Sequence, residues 1–353
     1  MRLSGFPSHL PWHRNPSRRN CRIRAFAFAE LARYVIGVLV LASTATWASQ
    51  LPVAMQSSVS SEQNEPVLRE ARAQAKRKDF AQAEQTVRVY LKKHPRSAQG
   101  HFLLGYILNA ERKPKRSLVE YTTGAQFHAP RADDLMVIAT DYIYLHDYAD
   151  ADKWLTLATQ WKPDSALEWY LLGRTKYNEN RFQEAVNAFK RCLQLDPRNV
   201  RAENNSGLSY EGLEDDKDAD SAYRIAIQWQ SNSPHPYPQP YLNLGMLLAR
   251  DSHTEQALPY LQKSVELAPQ NPKAHEQLGR AYEKVQMLDK AQSELEKAIV
   301  IAPNISALHF ELGRIYHKEK KYELAKREFA RCSVLNGTYS TDADETPNPD
   351  SPN

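Results

Sequence analysis

Apolar and polar residues alternate with a helical period over most of this 353-residue chain. In one representative stretch, apolar residues at three- and four-residue steps lead from Trp169 through Leu172 to the polar segment 178–181. The same spacing resumes after that segment with Ala185 and Phe189. Steps of three and four residues are typical of amphipathic helices. The stretch therefore predicts two helices joined by a polar turn, and no part of the sequence favours a β-strand.

A small residue returns in this pattern with a period close to 34 residues, which indicates a stacked array of one helical hairpin. Ala71 and Ala139 belong to the same series, which therefore has eight members. The six glycines of the series are Gly105, Gly173, Gly207, Gly245, Gly279 and Gly313. A second small residue follows twelve positions later, as in Ala185, Ala291 and Ala325. Most units close on a proline, as at Pro163, Pro197, Pro269 and Pro303.

These glycines and prolines predict where helices meet and where they end. A glycine inside a helix is about 1 kcal/mol less favourable than alanine, so six of them require an offsetting gain in packing. We expect Gly173 and Gly279 to lie where the paired helix approaches closely. Proline lacks a backbone donor and keeps the preceding residue out of the helical region, so the second helix of each unit should stop there.

The residues at these positions resemble the tetratricopeptide repeat. Trp169, Leu172, Gly173, Ala185 and Pro197 fall where the pattern of that family expects them. The resemblance covers about residues 64–339. It implies an all-α fold, a right-handed superhelical α-solenoid of about eight helix-turn-helix units. The motif is specific for the fold and says little about function.

The repeats divide the chain into segments. Units 1 to 5 occupy residues 64–231, and units 6 to 8 occupy residues 241–339. Between them, residues 232–240 carry a proline at every second position from Pro234, which predicts an extended, stiff spacer. The alternatives are a hinge and a ligand for an aromatic-lined groove. Residues 340–353 are rich in Asp, Thr, Pro and Asn and are predicted to be disordered.

The first 48 residues differ from the repeats. Six arginines and no acidic residue lie in residues 1–24, and the apolar run 34–45 follows. This order is typical of a secretory signal peptide, with residues 49–63 as a linker. The alternatives are an uncleaved anchor, although a spanning helix needs about 20 apolar residues, and a buried helix. We expect a secreted or periplasmic protein, or a membrane-anchored one with its repeats outside the cytoplasm.

Net charge depends on this N-terminal segment. The whole chain has 46 basic and 42 acidic side chains, for a formal charge of +4. Residues 1–48 hold seven of the basic and one of the acidic residues, so 39 and 41 remain. A nearly neutral repeat region gives no support for nucleic-acid binding.

Motifs for catalysis or metal binding are missing from the sequence. It has no phosphate-binding glycine loop, no nucleophile elbow and no HExxH helix. His101, His275 and His309 share one repeat position, where another unit has Trp169, so we expect them to replace a packing aromatic. Metal ligands must converge, and separate repeats keep these histidines apart. We therefore expect no enzyme activity, no cofactor and no metal.

In tetratricopeptide repeat proteins the first helix of each unit lines a concave groove, and the resemblance implies a partner site there. The implied positions are Tyr106, Tyr144, Tyr170, Arg174, Tyr177, Arg250, Arg280, Lys284, Arg314 and Lys318. The first half is aromatic, whereas the second half is basic with only Glu276 and Glu283 opposing. This favours a protein or peptide partner that is acidic or offers a C-terminal carboxylate. The alternative is that long basic side chains merely keep the face solvated.

The sequence thus predicts a non-catalytic scaffold or adaptor that binds a protein or peptide in its groove, in the cell envelope. The alternative is a recognition or assembly subunit of an enzyme system for glycan synthesis, export or secretion, whose catalytic part is another chain. A third alternative is self-association through the uncovered last helix, at Phe329 and Leu335. A membrane is expected to be contacted only through an uncleaved N-terminal segment.

Overall fold

The described part of the chain is helical throughout. In a computed structural model of the protein, residues 66–250 and 253–337 are described, and they contain sixteen helices and no strand. The helices are α1 (Pro66–Lys76), α2 (Phe80–Lys93), α3 (Ala98–Ala110), α4 (Pro114–Ala125), α5 (Ala132–Tyr144), α6 (Tyr148–Trp161), α7 (Ala166–Asn178), α8 (Phe182–Leu195), α9 (Val200–Gly212), α10 (Asp216–Trp229), α11 (Gln239–Arg250), α12 (Thr254–Leu267), α13 (Pro272–Lys284), α14 (Leu288–Ile301), α15 (Ser306–Lys318) and α16 (Tyr322–Leu335). The prediction of an all-α helical repeat solenoid is confirmed. The predicted signal or anchor, the linker and the tail lie outside the described residues.

The chain divides into two compact units. The first ends at Pro163 and includes α1 to α6, and the second begins at Asp164 and includes α7 to α16. The proline-rich segment 232–240 therefore lies inside the second unit, and its last two residues already belong to α11.

One packing rule repeats within each unit. Each odd-numbered helix packs against the even-numbered helix that follows it, and that helix packs against the first helix of the next pair. Consecutive odd-numbered helices also touch, for example α9 with α11 and α13 with α15. Because the first helices of neighbouring pairs approach one another, they line the inner side of each unit. We call the surface that they form the first-helix face of that unit.

Each glycine of the 34-residue series lies under a bulky side chain of the paired helix. A Cβ added to Gly173 would come within 2.6 Å of the Phe189 ring, and one added to Gly207 within 2.5 Å of Tyr223. The glycines of the other units meet Tyr121, Leu261, Leu295 and Phe329 in the same way. Burial of these large side chains offsets the poor helix propensity of glycine.

The second helix ends two residues before the closing proline in the pairs that close on Pro163, Pro197, Pro269 and Pro303. Helix α6 ends at Trp161, and Lys162, which precedes Pro163, has φ −134° and ψ 70°. The residues before Pro197, Pro269 and Pro303 have nearly the same dihedral angles. The proline ring keeps the preceding residue out of the helical conformation, so each of these helices ends before that residue.

Three buried histidines hold the junctions between repeats. The Nδ1 atom of His101 lies 2.8 Å from a carboxylate oxygen of Glu120, and its Nε2 atom lies 3.0 Å from the carbonyl oxygen of Pro95. The same two contacts join His275 to Glu294 and Pro269, and His309 to Glu328 and Pro303. The histidines are buried, as a packing aromatic would be, but they also make hydrogen bonds that a phenyl ring cannot make.

Replacing His101 by glutamine should destabilise the first unit more in mild acid than in base. Burial lowers the pKa of His101, but the hydrogen bonds to Glu120 and to the Pro95 carbonyl outweigh it and raise the pKa. A raised pKa gives stability that is complete below the unfolded-state value of about 6.5 and is lost as the pH rises through the folded-state value. We expect His101→Gln to lower the free energy of unfolding by about 1–3 kcal/mol near pH 6.

Urea unfolding at several pH values measures this effect. The loss of unfolding free energy caused by His101→Gln should be smaller at about pH 9 than near pH 6, because the stability that a raised pKa contributes is lost as the pH rises. His128 is exposed and its ring makes a hydrogen bond with the neighbouring carbonyl of Ala129, so His128→Gln is the control. A loss of equal size at both pH values would contradict the proton-dependent role of His101.

Candidate partner-binding face

The first-helix face of the first unit carries two of the predicted groove tyrosines. Tyr106 of α3 and Tyr144 of α5 are both half-buried. The Arg112 guanidinium lies 6.0 Å from the centre of the Tyr144 ring, and burial raises the pKa of Tyr144. This unit therefore presents aromatic rings together with a stacked guanidinium group.

Helix α7 carries three further predicted residues, Tyr170, Arg174 and Tyr177. The Arg174 guanidinium lies 5.8 Å from the centre of the Tyr170 ring. Tyr177 packs against Phe182, with the ring centres 5.6 Å apart, and burial raises its pKa to about 12. Tyr177 is thus tied to the packing of its own repeat, whereas Tyr170 and Arg174 form a stacked pair on the face.

A chain of side-chain amides crosses the face from Tyr170. The Asn205 amide donates to the Tyr170 hydroxyl at 3.3 Å, and the Asn204 amide donates to Asn205 at 3.3 Å. Asn243 donates to Asn204 at 3.0 Å, and Gln239 donates to Asn243 at 2.9 Å. The chain links α7, α9 and α11. Sequence reasoning missed it because its two contacts between repeats join residues 35 and 39 positions apart.

The proline-rich segment adds an aromatic ring to this face. Buried Gln230 holds the backbone of Tyr237 by donating to its carbonyl at 2.9 Å and accepting from its N–H at 2.6 Å. The Arg201 guanidinium lies 5.4 Å from the centre of the Tyr237 ring. Burial raises the pKa of Tyr237, and neighbouring Tyr170 adds to the rise. The only sequence signal for Tyr237 was the four extra residues between the fifth and sixth units.

The basic half of the predicted groove is neutralised by carboxylates of the same unit. Arg250 pairs with Glu211 and Asp216, Arg280 with Glu276 and Glu311, and Arg314 and Lys318 both with Glu283. The Lys284 ammonium donates to the carbonyl of Ala249. The expectation that only Glu276 and Glu283 oppose these cations was therefore wrong. Asp216 and Glu311 come from other repeat positions, whose direction the sequence does not give, whereas Glu211 lies at the same position as Glu283 but in the fifth repeat, before the basic half.

Glu311 illustrates how crowded the charges of this half are. Burial raises its pKa to about 7, and the nearby Glu276 carboxylate adds to the rise. The Arg280 guanidinium lies 3.6 Å from each of these two carboxylates. An acidic partner would therefore have to displace a carboxylate of the chain itself, and the basic half does not select such a partner by net charge.

The last helix exposes apolar residues. Leu324 and Val334 of α16 are 38% and 49% exposed. Phe329, in contrast, packs over Gly313 of its own repeat, and Leu335 is half-buried. A polar residue at position 329 would therefore disturb the repeat itself. Self-association through Phe329 and Leu335 stays a prediction, and Leu324 and Val334 are the residues better suited to test it.

Within residues 66–250 and 253–337, no three His, Cys, Asp or Glu side chains stand where they could hold a metal ion. The Cys192 thiol is buried, and burial raises its pKa to about 12. Such a thiol stays protonated at neutral pH and is a poor nucleophile. None of the helices in these two ranges is long and apolar enough to cross a membrane.

Two curated proteins match short stretches of the chain. A peroxisomal targeting signal receptor of Candida albicans is 48% identical over 48 residues, which are 14% of this chain and 8% of that protein. An uncharacterized tetratricopeptide repeat-containing protein of Arabidopsis thaliana is 27% identical over 112 residues, 31% of this chain and 14% of that protein. The chain thus spans only a small part of either relative.

Two solved structures resemble the fold at low sequence identity. The Cut9–Hcn1 hetero-tetramer of the APC/C matches with a TM-score of 0.54 at 15% identity, over 74% of this chain and 50% of that chain. PilW, a type IV pilus biogenesis factor, matches with a TM-score of 0.53 at 21% identity, over 60% of this chain and 95% of that chain. At these identities the matches support the fold alone.

Family models identify the repeats directly. Three models, each described as tetratricopeptide repeat, match residues 68–132, residues 166–199, and the consecutive stretches 238–271, 272–305 and 306–336. Together they cover more than half of the chain, and their boundaries follow the helix pairs described above. The chain therefore belongs to the tetratricopeptide repeat family.

Proposed function

We propose that this chain is a non-catalytic scaffold that holds a protein or peptide partner against its first-helix faces. The observation that carries the proposal is the face of the second unit, where Tyr170, Arg174 and Asn205 place a ring, a guanidinium and an amide side by side. Tyrosine and arginine are enriched among the residues that dominate binding energy at interfaces. Amides both donate and accept, so they suit the backbone of an extended peptide.

The proposed partner contributes an extended segment with acidic side chains or a free C-terminal carboxylate. The relative from Candida albicans is named as a receptor for a targeting signal, and we propose by analogy that this chain also recognises a segment of its partner. Guanidinium groups on the face suit carboxylates, because they offer paired donors in a planar geometry.

We further propose that the protein works in the cell envelope. The arginine-rich start and the apolar run within residues 1–48 support this location, with an uncleaved anchor as the alternative. N-terminal sequencing of the mature protein tests it: a start near residue 49 supports a cleaved signal. Recovery of the intact chain from the soluble cytoplasm would contradict both forms.

Site-specific photo-crosslinking in cells tests the binding face. A photoreactive residue at Tyr170, on a first helix, should give an adduct with a discrete partner because the partner lies against that face. The matched control is position 183 of the same repeat, where Gln183 is exposed on the second helix α8. Adducts at position 183 but not at position 170 would contradict the proposal. Identification of the adduct by mass spectrometry shows whether the partner is an enzyme.

A further inference from the structure

The four extra residues between the fifth and sixth repeats build one wall of the first-helix face. Prolines at positions 234, 236, 238 and 240 restrict the backbone of the segment, and the buried Gln230 side chain holds the backbone of Tyr237 by two hydrogen bonds of 2.9 and 2.6 Å. Insertions in repeat proteins map to loops on one face, which is often the binding face. The segment thus holds the Tyr237 ring in a fixed place.

Two aromatic rings and two guanidinium groups meet at this place. Arg201 stacks over Tyr237 at 5.4 Å, and Arg174 stacks over Tyr170 at 5.8 Å. Tyr170 raises the pKa of Tyr237, whereas Arg201 and Arg174 lower it, so all three lie within electrostatic reach of Tyr237. Arg201 and Asn205 lie four positions apart on one face of α9, and Asn205 donates to the Tyr170 hydroxyl at 3.3 Å. The four side chains from α7, α9 and the proline-rich segment therefore form one cluster.

The charge of Arg201 distinguishes this cluster from the rest of the face. Arg201 is exposed and makes no ion pair with any residue that the structure describes. In the basic half, Arg250, Arg280 and Arg314 each lie against carboxylates of the chain. A carboxylate ligand at Arg201 displaces no internal partner, so charge complementarity favours this end of the unit.

The amide chain borders the cluster and supplies backbone recognition. Asn205 donates to the Tyr170 hydroxyl, and Gln239, two residues after Tyr237, begins the chain on the other side. Both residues are half-exposed, so each can offer its remaining donor or acceptor to a ligand. A peptide that lies between them meets amide groups along its backbone and guanidinium groups beside its side chains.

We propose that Tyr170, Arg174, Arg201 and Tyr237 form the recognition site for an acidic, extended peptide segment of the partner. The inference rests on the proposed function. It adds the position of the peptide site and the charge of the peptide. The residues proposed to bind an acidic partner are therefore those of the cluster at Arg201, and no longer Arg280 and Arg314, which pair with carboxylates of the chain.

Peptide display tests the site. The full chain is used to select binders from a library of random dodecamer peptides, and the selected peptides are synthesised and titrated. We expect enrichment of Asp and Glu, and affinities that fall about tenfold or more with Arg201→Glu or Tyr237→Ala. Arg198→Glu, an equal charge change on an exposed residue of the α8–α9 loop, should leave affinity within about twofold.

The possible outcomes separate this inference from the proposed function. Selected peptides that lack acidic residues, or that bind Arg201→Glu and Tyr237→Ala as well as wild type, overturn the inference while the scaffold proposal stands. Failure to select any peptide contradicts both this inference and the proposal that the first-helix faces bind a peptide. Circular dichroism of each variant confirms that the helices remain, and Arg201→Lys should retain most of the binding because it keeps the charge.

Discussion

Replacing Asp141 by asparagine is expected to stabilise the first unit near and above neutral pH, and to change its stability little at about pH 4. Asp141 is completely buried in α5, at a position where other repeats have residues such as Ile107, Leu247 and Ile315. Burial raises the pKa of its carboxyl to about 8. The folded state therefore disfavours the carboxylate strongly.

The hydrogen bonds around Asp141 do not compensate for this burial. Asn109 donates to one carboxyl oxygen at 2.9 Å, but the other oxygen is buried with no hydrogen-bond partner among the described residues. Ser117 is also adjacent, yet its only hydroxyl proton is donated to the carbonyl of Gly105 at 2.8 Å. Ser117 can therefore accept from a protonated Asp141 but cannot solvate the carboxylate.

The direction and size of this change in stability follow from the pKa values of Asp141 in the unfolded and folded states. Below the unfolded-state pKa of about 3.9 the carboxyl is protonated in both states, and burial of Asp141 carries no penalty for charge. As the pH rises towards 8, the unfolded chain ionises while the folded one keeps its proton, so stability falls. The total loss is about 5 kcal/mol, which asparagine avoids because it resembles the protonated carboxyl.

Amide hydrogen exchange of α3 and α5, with thermal unfolding, measures the effect at about pH 4.5 and pH 8. Asp133→Asn is the control, since Asp133 is exposed on the same helix and pairs with Lys162 at the surface. A surface pair contributes at most about 1 kcal/mol, so the control should change little with pH. Equal stabilisation by Asp141→Asn at both pH values, or destabilisation at pH 8, would contradict the prediction.

The helix pairs could be predicted because their determinants are local and repeated. The small residue, the bulky residue sixteen positions later and the closing proline recur in nearly every unit, so each repeat supports the interpretation of the others. The turns inside the pairs carry no such signal. Seven of them contain a residue with φ between 57° and 67°, namely Lys78, Arg112, His146, Asn180, Glu214, Gln286 and Lys320. Apart from His146 and Asn180, these residues are not of types enriched in this region, so packing of the helices imposes the turn.

The candidate site was less predictable because its contacts join different repeats. Family positions indicated Tyr170 and Arg174, but the ion pair of Arg250 with Glu211 depends on how two repeats stack. Tyr237 lies outside the repeat pattern altogether, and its place depends on the buried side chain of Gln230. Periodicity identifies the helices that line the face, whereas charge neutralisation on that face follows only from side-chain directions.

Replacing Gly173 by alanine should destabilise the second unit, although alanine is the better helix former by about 1 kcal/mol. The added Cβ would lie 2.6 Å from a carbon of the Phe189 ring, which is fully buried and packs against Tyr170 with the ring centres 6.1 Å apart. The ring cannot move without disturbing its neighbours. Overpacking of this kind lowers the free energy of unfolding by about 1–3 kcal/mol, and the loss for Gly173→Leu should be larger than that.

Gly279 provides the matched control within the same unit. Its nearest side-chain contact for an added Cβ is Leu295, at 3.0 Å, and leucine can shift more readily than a confined ring. The chain itself shows that an aliphatic partner accepts alanine, since the third repeat has Ala139 at the glycine position and Leu155 at the bulky one. We therefore expect Gly279→Ala to be neutral or mildly stabilising.

A double-mutant cycle determines whether the Phe189 ring is the cause. Phe189→Leu alone should destabilise by loss of buried surface, but Gly173→Ala added to it should cost little, because the second unit then has the alanine–leucine pair of the third repeat. Urea unfolding with hydrogen exchange of α7 and α8 gives the four free energies. If Gly173→Ala costs the same with Phe189 and with leucine at position 189, the conflict lies elsewhere in α7. If the cost disappears with leucine, glycine is required in this series wherever the paired helix presents a buried aromatic ring.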